Sequence, residues 1–519
     1  MAPTFAPSTA AVRDYNGAVD PLPRTPLDTA VAAAVTAAAG RAHVVAPALD
    51  PRLSRACAEI AAIMPAEGMI DYAYVEFALQ RNGIIEPSPH LLVVWGDVRS
   101  PDAIVAQLEP RLPEVFGEGA PARLGVGTAA RGADGTSAVV FALQSSGVAT
   151  GPIPRALPAG GTAPLRATLD PRYHDAEVLV TRDDGSVEHV ATTAGASGRD
   201  VAATLACGAR TGRQEVEISA EGSAGSTVLA NFPIWCNAQP PSSLTVEPSP
   251  DDADVASADA AEHRLFELAN QARAHAGVAA LAWDDRLAHA ARAYAEEMRR
   301  TNNVAHVSPI SGAATDRVRT TGIRTAVVLE NVARAYSVGE AHTGLMNSPG
   351  HRANLLSTSA THAGVGVALG DDVGGHRELF VAQLFVRIPP KIDRDAVVRL
   401  VAQRIGAQQP VKTDDKLAAV AQDLASGLAA GRSQDELWKI ASGRLESAST
   451  VYGRIGSVIS AVVETDAIDG KELVGDYRPV AIGVGVAQGP HPELGDGAIW
   501  IVALLGEAPA SASPGPAPR

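Results

Sequence analysis

Three stretches of this chain repeat one pattern, and that repetition limits the fold more than any other feature. Asp50-Pro51-Arg52-Leu53-Ser54, Asp284-Asp285-Arg286-Leu287-Ala288 and Asp414-Asp415-Lys416-Leu417-Ala418 each open an alanine-rich amphipathic helix. Further on, Gly125-Val126-Gly127, Gly364-Val365-Gly366 and Gly483-Val484-Gly485 each precede a glycine-rich turn and an apolar strand, at residues 137–144, 378–385 and 498–505. Alanine-rich helices and Gly-Val-Gly turns recur by accident, but their matching order in all three places favours one ancestral unit. The expectation is three α/β domains of one kind, at 29–148, 258–389 and 394–506.

A chain of 519 residues is too long for one core and calls for several domains. Its formal net charge of -15 argues against nucleic acid as a partner, since phosphate binding needs clustered Lys and Arg. No uninterrupted apolar stretch approaches the length that spans a bilayer, so no transmembrane segment is expected. The start, Met1-Ala2-Pro3-Thr4-Phe5-Ala6-Pro7, has neither a basic opening nor an apolar core of a secretion signal. Proline- and alanine-rich composition predicts disorder over 1–28 and over the tail 508–519, and 244–257 reads as an acidic linker.

Residues 152–243 differ from the repeats. Ala176-Glu177-Val178-Leu179-Val180-Thr181 and Glu215-Val216-Glu217-Ile218-Ser219 alternate like half-buried strands. Asp183-Asp184-Gly185-Ser186 marks a hairpin. A small all-β sandwich of immunoglobulin-like type is expected, a spacer or adhesion surface with no site of its own. Cys207 and Cys236 fall within it and are candidates for a disulfide, with paired free thiols as the alternative; Cys57 would remain single.

Eight of the thirteen histidines lie in the middle repeat: His263, His275, His289, His306, His342, His351, His362 and His376. There Ala305-His306, Leu329-Glu330-Asn331-Val332 and Gly339-Glu340-Ala341 lead to Met346-Asn347-Ser348-Pro349-Gly350-His351-Arg352-Ala353-Asn354-Leu355-Leu356. Glu330 follows an apolar run read as a buried strand, a costly place for a carboxylate without a partner. Ser348-Pro349-Gly350 stops the preceding helix and resets the backbone ahead of His351. The outer repeats lack these residues: the first has Trp95 where a glutamate would project, and neither has Ser-Pro-Gly-His. His342 and His362 read as surface or internally satisfied histidines.

These motifs, with Leu281-Ala282-Trp283-Asp284 upstream and Ala363-Gly364-Val365-Gly366-Val367 downstream, resemble the bacterial branch of the CAP superfamily, the SCP domain of cysteine-rich secretory and pathogenesis-related proteins. Leu345 departs from the tryptophan common in that motif. The resemblance implies an α-β-α sandwich over 258–389, flanked by two degenerate copies in a multidomain α/β chain. It also implies an open cleft lined by His306, Glu330, Glu340 and His351, with Asn331, Ser348, Arg352 and Asn354 in support. Imidazole and carboxylate suit zinc or a similar divalent metal. His306 and His351 would be direct ligands, and Glu330 and Glu340 ligands or orienting groups. Buried His–Glu pairing without metal is the alternative.

Three functions follow from that resemblance. The first is a secreted, extracellular or cell-envelope binding module, without catalysis, for a lipid, glycan or protein ligand. The second is a metal-dependent hydrolase of peptide or cell-wall material. Against it, no Ser or Cys nucleophile is set beside an oriented base, and Ser308 lacks an evident oxyanion site. The third is a structural scaffold of the cell envelope.

Overall fold

The computed structural model describes residues 4–509, apart from 67, 119, 132–134, 196–197, 254, 374–375 and 447–449. Two compact units make up the chain. One comprises Met1–Arg317, Leu329–Thr358 and Ala363–Leu384, and the other Val318–Val328, Ser359–His362 and Phe385–Arg519.

One four-stranded sheet plan occurs three times. In the first, the order is Ala48–Leu49, Arg123–Ala130, Thr136–Gln144, His90–Asp97. In the middle it is Ala282–Trp283, His362–Val373, His376–Val386, Val328–Ala335, and in the last Lys412–Thr413, Pro479–His491, Gly495–Glu507, Arg454–Val462. Each begins with a two-residue edge strand that leads straight into a long helix: Pro51–Ile63, Asp285–Thr301 or Asp415–Ala429. The aspartate before each helix, Asp50, Asp284 or Asp414, accepts two backbone N–H groups of the first turn. Such caps stabilise a helix by about 1 kcal/mol.

The paired glycines explain why Gly-Val-Gly recurs. A Cβ on Gly127 would lie 2.0 Å from the backbone of Ala58, one on Gly366 2.0 Å from that of Arg292, and one on Gly485 2.1 Å from that of Ala421. Strand and helix backbones touch there, and no side chain fits.

Alternate strand residues supply two cores. In the first domain Val140 and Ala142 pack with Leu53, Cys57 and Ile60, while Val139, Phe141 and Leu143 pack with Val31, Val35 and Leu112. In the last, Val502 and Leu504 join Leu417 and Leu424, and Ile501, Ala503 and Leu505 join Val401 and Ile405. Helices thus cover both faces of the sheet.

Between the first two such domains lie two antiparallel-rich sheets with one shared core that includes Leu165, Val180, Val216, Ile218 and Phe232. Cys207 and Cys236 are disulfide-bonded across 29 residues, and Cys57 is free and buried. Burial pushes the Cys57 thiol far up, so it is inert.

Two expectations need correction. Disorder over 1–28 does not hold from residue 4: Phe5 and Tyr15 are buried, Thr4–Phe5 pairs with Leu244–Thr245 inside the expected linker, and a helix begins at Pro26. Phe5 and Tyr15, each seated in an apolar cluster, outweigh the proline- and alanine-rich composition around them. The strand Gly212–Gly222 is not half-buried either. Gln214 to Ala220 are all buried, because its polar face is covered too. The expected tail falls outside the described residues from 510 onward. Among the described residues, no helix is long and apolar enough to cross a membrane.

Candidate functional site

Three of the four expected residues come together. Glu330 lies inside the strand Val328–Ala335 rather than at the end of an apolar run, and is 5% exposed. Its carboxylate takes His306 Nδ1 at 3.1 Å on one oxygen and the Arg317 guanidinium on the other. Arg317 also donates to the His306 carbonyl at 3.1 Å and lies 3.6 Å over the Tyr294 ring. With the Arg317 guanidinium on one Glu330 oxygen, the other oxygen faces His306 Nδ1, and Nε2 lies outside this pair.

His351 is not simply past a turn. Helix Val338–Asn347 stops at extended Ser348, and Pro349 starts a second helix, Pro349–Leu355, which carries His351 in its first turn. Asn331 anchors that turn to the strand by donating to the His351 carbonyl at 3.1 Å and to Gln383 Oε1 at 3.2 Å. Asn354 donates to the Glu330 carbonyl and to Asn331 Oδ1. The His306 and His351 rings end up with centroids 5.9 Å apart. Burial, with His306 adding to it, pushes the His351 pKa down to about 3, so this imidazole is neutral.

Glu340 is held elsewhere. It sits in the first turn of Val338–Asn347, accepts the Tyr336 N–H at 3.1 Å, and feels Asp71, Asp252 and His376 rather than the two cleft histidines. Burial raises its pKa. Arg352 turns away from the cleft as well, donating to the Gly185 carbonyl at 2.9 Å. Leu345, in the tryptophan position, is fully buried. His362 pairs with the Thr361 hydroxyl at 2.9 Å. Ser308 donates to Glu297 and accepts the N–H groups of Ile310 and Ser311, so its hydroxyl is committed to shaping its loop.

Two functional residues were not foreseen. Arg317 belongs to the short helix Ala314–Thr320, outside every motif named above. Glu217 comes from the β-sandwich and is 1% exposed. It accepts the Ser348 hydroxyl on one oxygen and the Gly350 N–H, at 3.2 Å, on the other. Ser348 Oγ in turn lies 2.8 Å from His351 Nδ1. The sandwich hairpin rests on the same site: the Val307 N–H donates to the Ala224 carbonyl, and Gly225 has φ +85°, where a Cβ would lie 3.1 Å from that of His306. Burial pushes the Glu217 carboxyl up to about 7, while Ser348 and Gly350 hold it down. Only the alternation of strand 215–219 marks Glu217, and it marks it as solvent-facing.

Among the described residues, no group of three or more His, Cys, Asp or Glu side chains is placed to hold one metal ion. The cleft supplies two imidazoles whose Nδ1 atoms are engaged by their neighbours. Two imidazoles are fewer than the three or four protein ligands of a typical zinc site, so any ion held here would have to be completed by water or a ligand.

Residues 266–385 match the model of the cysteine-rich secretory protein family, CAP. This segment is a CAP domain. It is similar to the Bacillus subtilis (strain 168) proteins YlbC, an uncharacterized membrane protein, at 37% identity over 107 residues, and YkwD, an uncharacterized protein, at 36% over 111. The matches take in 20% and 21% of this chain but 31% and 43% of those proteins, so less than half of either relative is spanned. An extracellular SCP-domain protein from Bacillus anthracis is similar at 21% identity over 34% of this chain and 65% of that one, with a TM-score of 0.22.

Proposed function

We propose that this is a secreted CAP protein of the extracellular space or cell envelope. In this reading it binds a lipid, glycan or protein partner without catalysis, and its CAP cleft holds a divalent ion such as zinc through His306 and His351. The observation that carries the metal reading is the engagement of both Nδ1 atoms, His306 by Glu330 and His351 by Ser348, which reserves Nε2 on each ring. Bound there, the ion would act as a Lewis acid that takes a ligand oxygen. His306 and His351 would hold it. Glu330, paired with Arg317, orients His306 and is not itself a ligand. Glu340, occupied by the Tyr336 N–H, is left out of the ligand set in this reading.

Calorimetric titration of zinc into chelator-treated protein tests this, beside a folded His306→Ala/His351→Ala variant. One saturable site in the parent and none in the variant is expected. Equal behaviour of the two would leave the cleft as a purely structural His–Glu network.

Hydrolysis is the second reading. It is disfavoured because Ser308 and Ser348, the hydroxyls nearest the histidines in sequence, are bound to Glu297 and Glu217. Turnover of casein or peptidoglycan with zinc present would reinstate it. A scaffold role for the flanking domains is compatible with binding. The shared sheet order supports reading 29–148 and 394–506 as degenerate CAP-like copies, and the two-sheet core supports an immunoglobulin-like module between the first two.

A further inference from the structure

We propose that Glu217 of the β-sandwich is a positioning residue for the CAP cleft: acting through the Ser348 hydroxyl, it fixes His351 in the tautomer protonated at Nδ1 and bare at Nε2. The geometry stands without a metal, but its consequence for binding rests on the metal reading above.

The hydrogens decide the tautomer. Both Glu217 oxygens are acceptors, one for the Ser348 hydroxyl and one for the Gly350 N–H. Ser348 has a single hydrogen, and the carboxylate takes it. What remains toward His351 Nδ1, 2.8 Å away, is a lone pair on Oγ. Nδ1 must then carry the proton, and Nε2 must be free.

Two further observations show that Glu217 serves this turn. Ser348 occupies the N-cap of Pro349–Leu355, yet its side chain makes no cap bond; the sandwich carboxylate takes the Gly350 N–H instead. Of the other buried glutamates, Glu59 pairs with Arg81, Glu86 with Arg123, Glu262 with Arg292 and Glu330 with Arg317, while Glu297 accepts the Ser308 hydroxyl. Glu217 forms no salt bridge among the described residues. A buried carboxylate without a cation is costly unless hydrogen bonds hold it, and both of its hydrogen bonds go to the Ser-Pro-Gly-His turn. Burial has also raised its pKa, as expected of a functional carboxyl in a closed site.

Glu217→Gln isolates the effect with little change of volume. A glutamine has one acceptor oxygen, and the fixed Gly350 N–H claims it. Its amide N–H then donates to Ser348 Oγ, whose hydrogen must turn to His351 Nδ1. The proton on His351 moves to Nε2, the nitrogen a ligand would need.

The test is long-range proton–nitrogen NMR on the full chain labelled with 15N-histidine, at about pH 8, above the raised carboxyl titration. The His351 signals are assigned by their loss in His351→Asn. The parent should carry the proton on Nδ1 and Glu217→Gln on Nε2, with zinc affinity about 10- to 100-fold weaker in the variant. A parent protonated on Nε2, or a variant still protonated on Nδ1, overturns the proposal. Should Glu217→Gln fail to fold, Ser348→Ala replaces it: loss of a single tautomer supports the relay, and an unchanged Nδ1 proton refutes it. If the tautomer responds but the parent binds no zinc, the metal reading falls and the positioning role stands. If zinc binds and the tautomer does not respond, the reverse holds.

Discussion

The first domain and the CAP domain build one sheet plan and fill it differently. In the first, the strand His90–Asp97 brings Val94 and Trp95 to the apolar clusters on the two sides of the sheet. In the CAP domain the matching strand Val328–Ala335 brings Glu330 and Asn331, both buried, and each needs partners: Arg317 and His306 for one, Gln383, Asn354 and the His351 carbonyl for the other. The scaffold therefore does not require the polar cluster. A strand that could be filled with a tryptophan instead carries polar groups that must be matched, as the proposed site would require.

This contrast can be broken most sharply at Arg317. Arg317→Ala leaves Glu330 buried with His306 as its remaining partner, and should cost about 3 kcal/mol in urea unfolding of the CAP domain. Trp95→Ala should cost less, because Trp95 is only half-buried. Equal losses would mean that the polar cluster behaves as ordinary core.

The next effect follows from Glu217. Its folded pKa, about 7, lies above the ordinary value of 4.5. The stability it lends is therefore complete below about pH 4.5 and is lost as pH rises through about 7. Glu217→Gln does not titrate, so its advantage over the parent should grow between about pH 5 and pH 8, on the order of 3 kcal/mol. Glu215 is also raised to about 7, first by burial and in part by the Glu217 charge, so relief of Glu215 in the variant adds to the same gap. A pH-independent gap would place the Glu217 carboxylate in water.

The smallest effect checks the likeness of the three domains. Asp50→Ala, Asp284→Ala and Asp414→Ala should each lower the stability of their own domain by about 1 kcal/mol, since all three cap a helix through the same two N–H groups. Unequal losses would separate the copies.

Much of this was legible in the sequence. Asp-x-Arg/Lys-Leu and Gly-Val-Gly are local signals whose causes, a cap and a backbone contact, are local too. His306, Glu330 and His351 could be grouped because each stands in a recognisable motif. Glu340 is as near the motif in sequence, yet it lies in the first turn of its helix and accepts the Tyr336 N–H, with no hydrogen bond to either cleft histidine among the described residues. Arg317 and Glu217 were invisible for the opposite reason. Glu217 sits where strand alternation predicts solvent, Arg317 stands in no motif, and both are buried by tertiary contacts. No local period records what will dock on a polar face.

The hydrogen bond from Gly350 to Glu217 carries a practical corollary for dissection by truncation. A fragment cut at the sequence limits of the CAP segment would lose the carboxylate that caps the start of its own short helix, and with it the group proposed to order His351. Measured alone, such a fragment would describe a different molecule. The smallest meaningful unit of this site is two domains long.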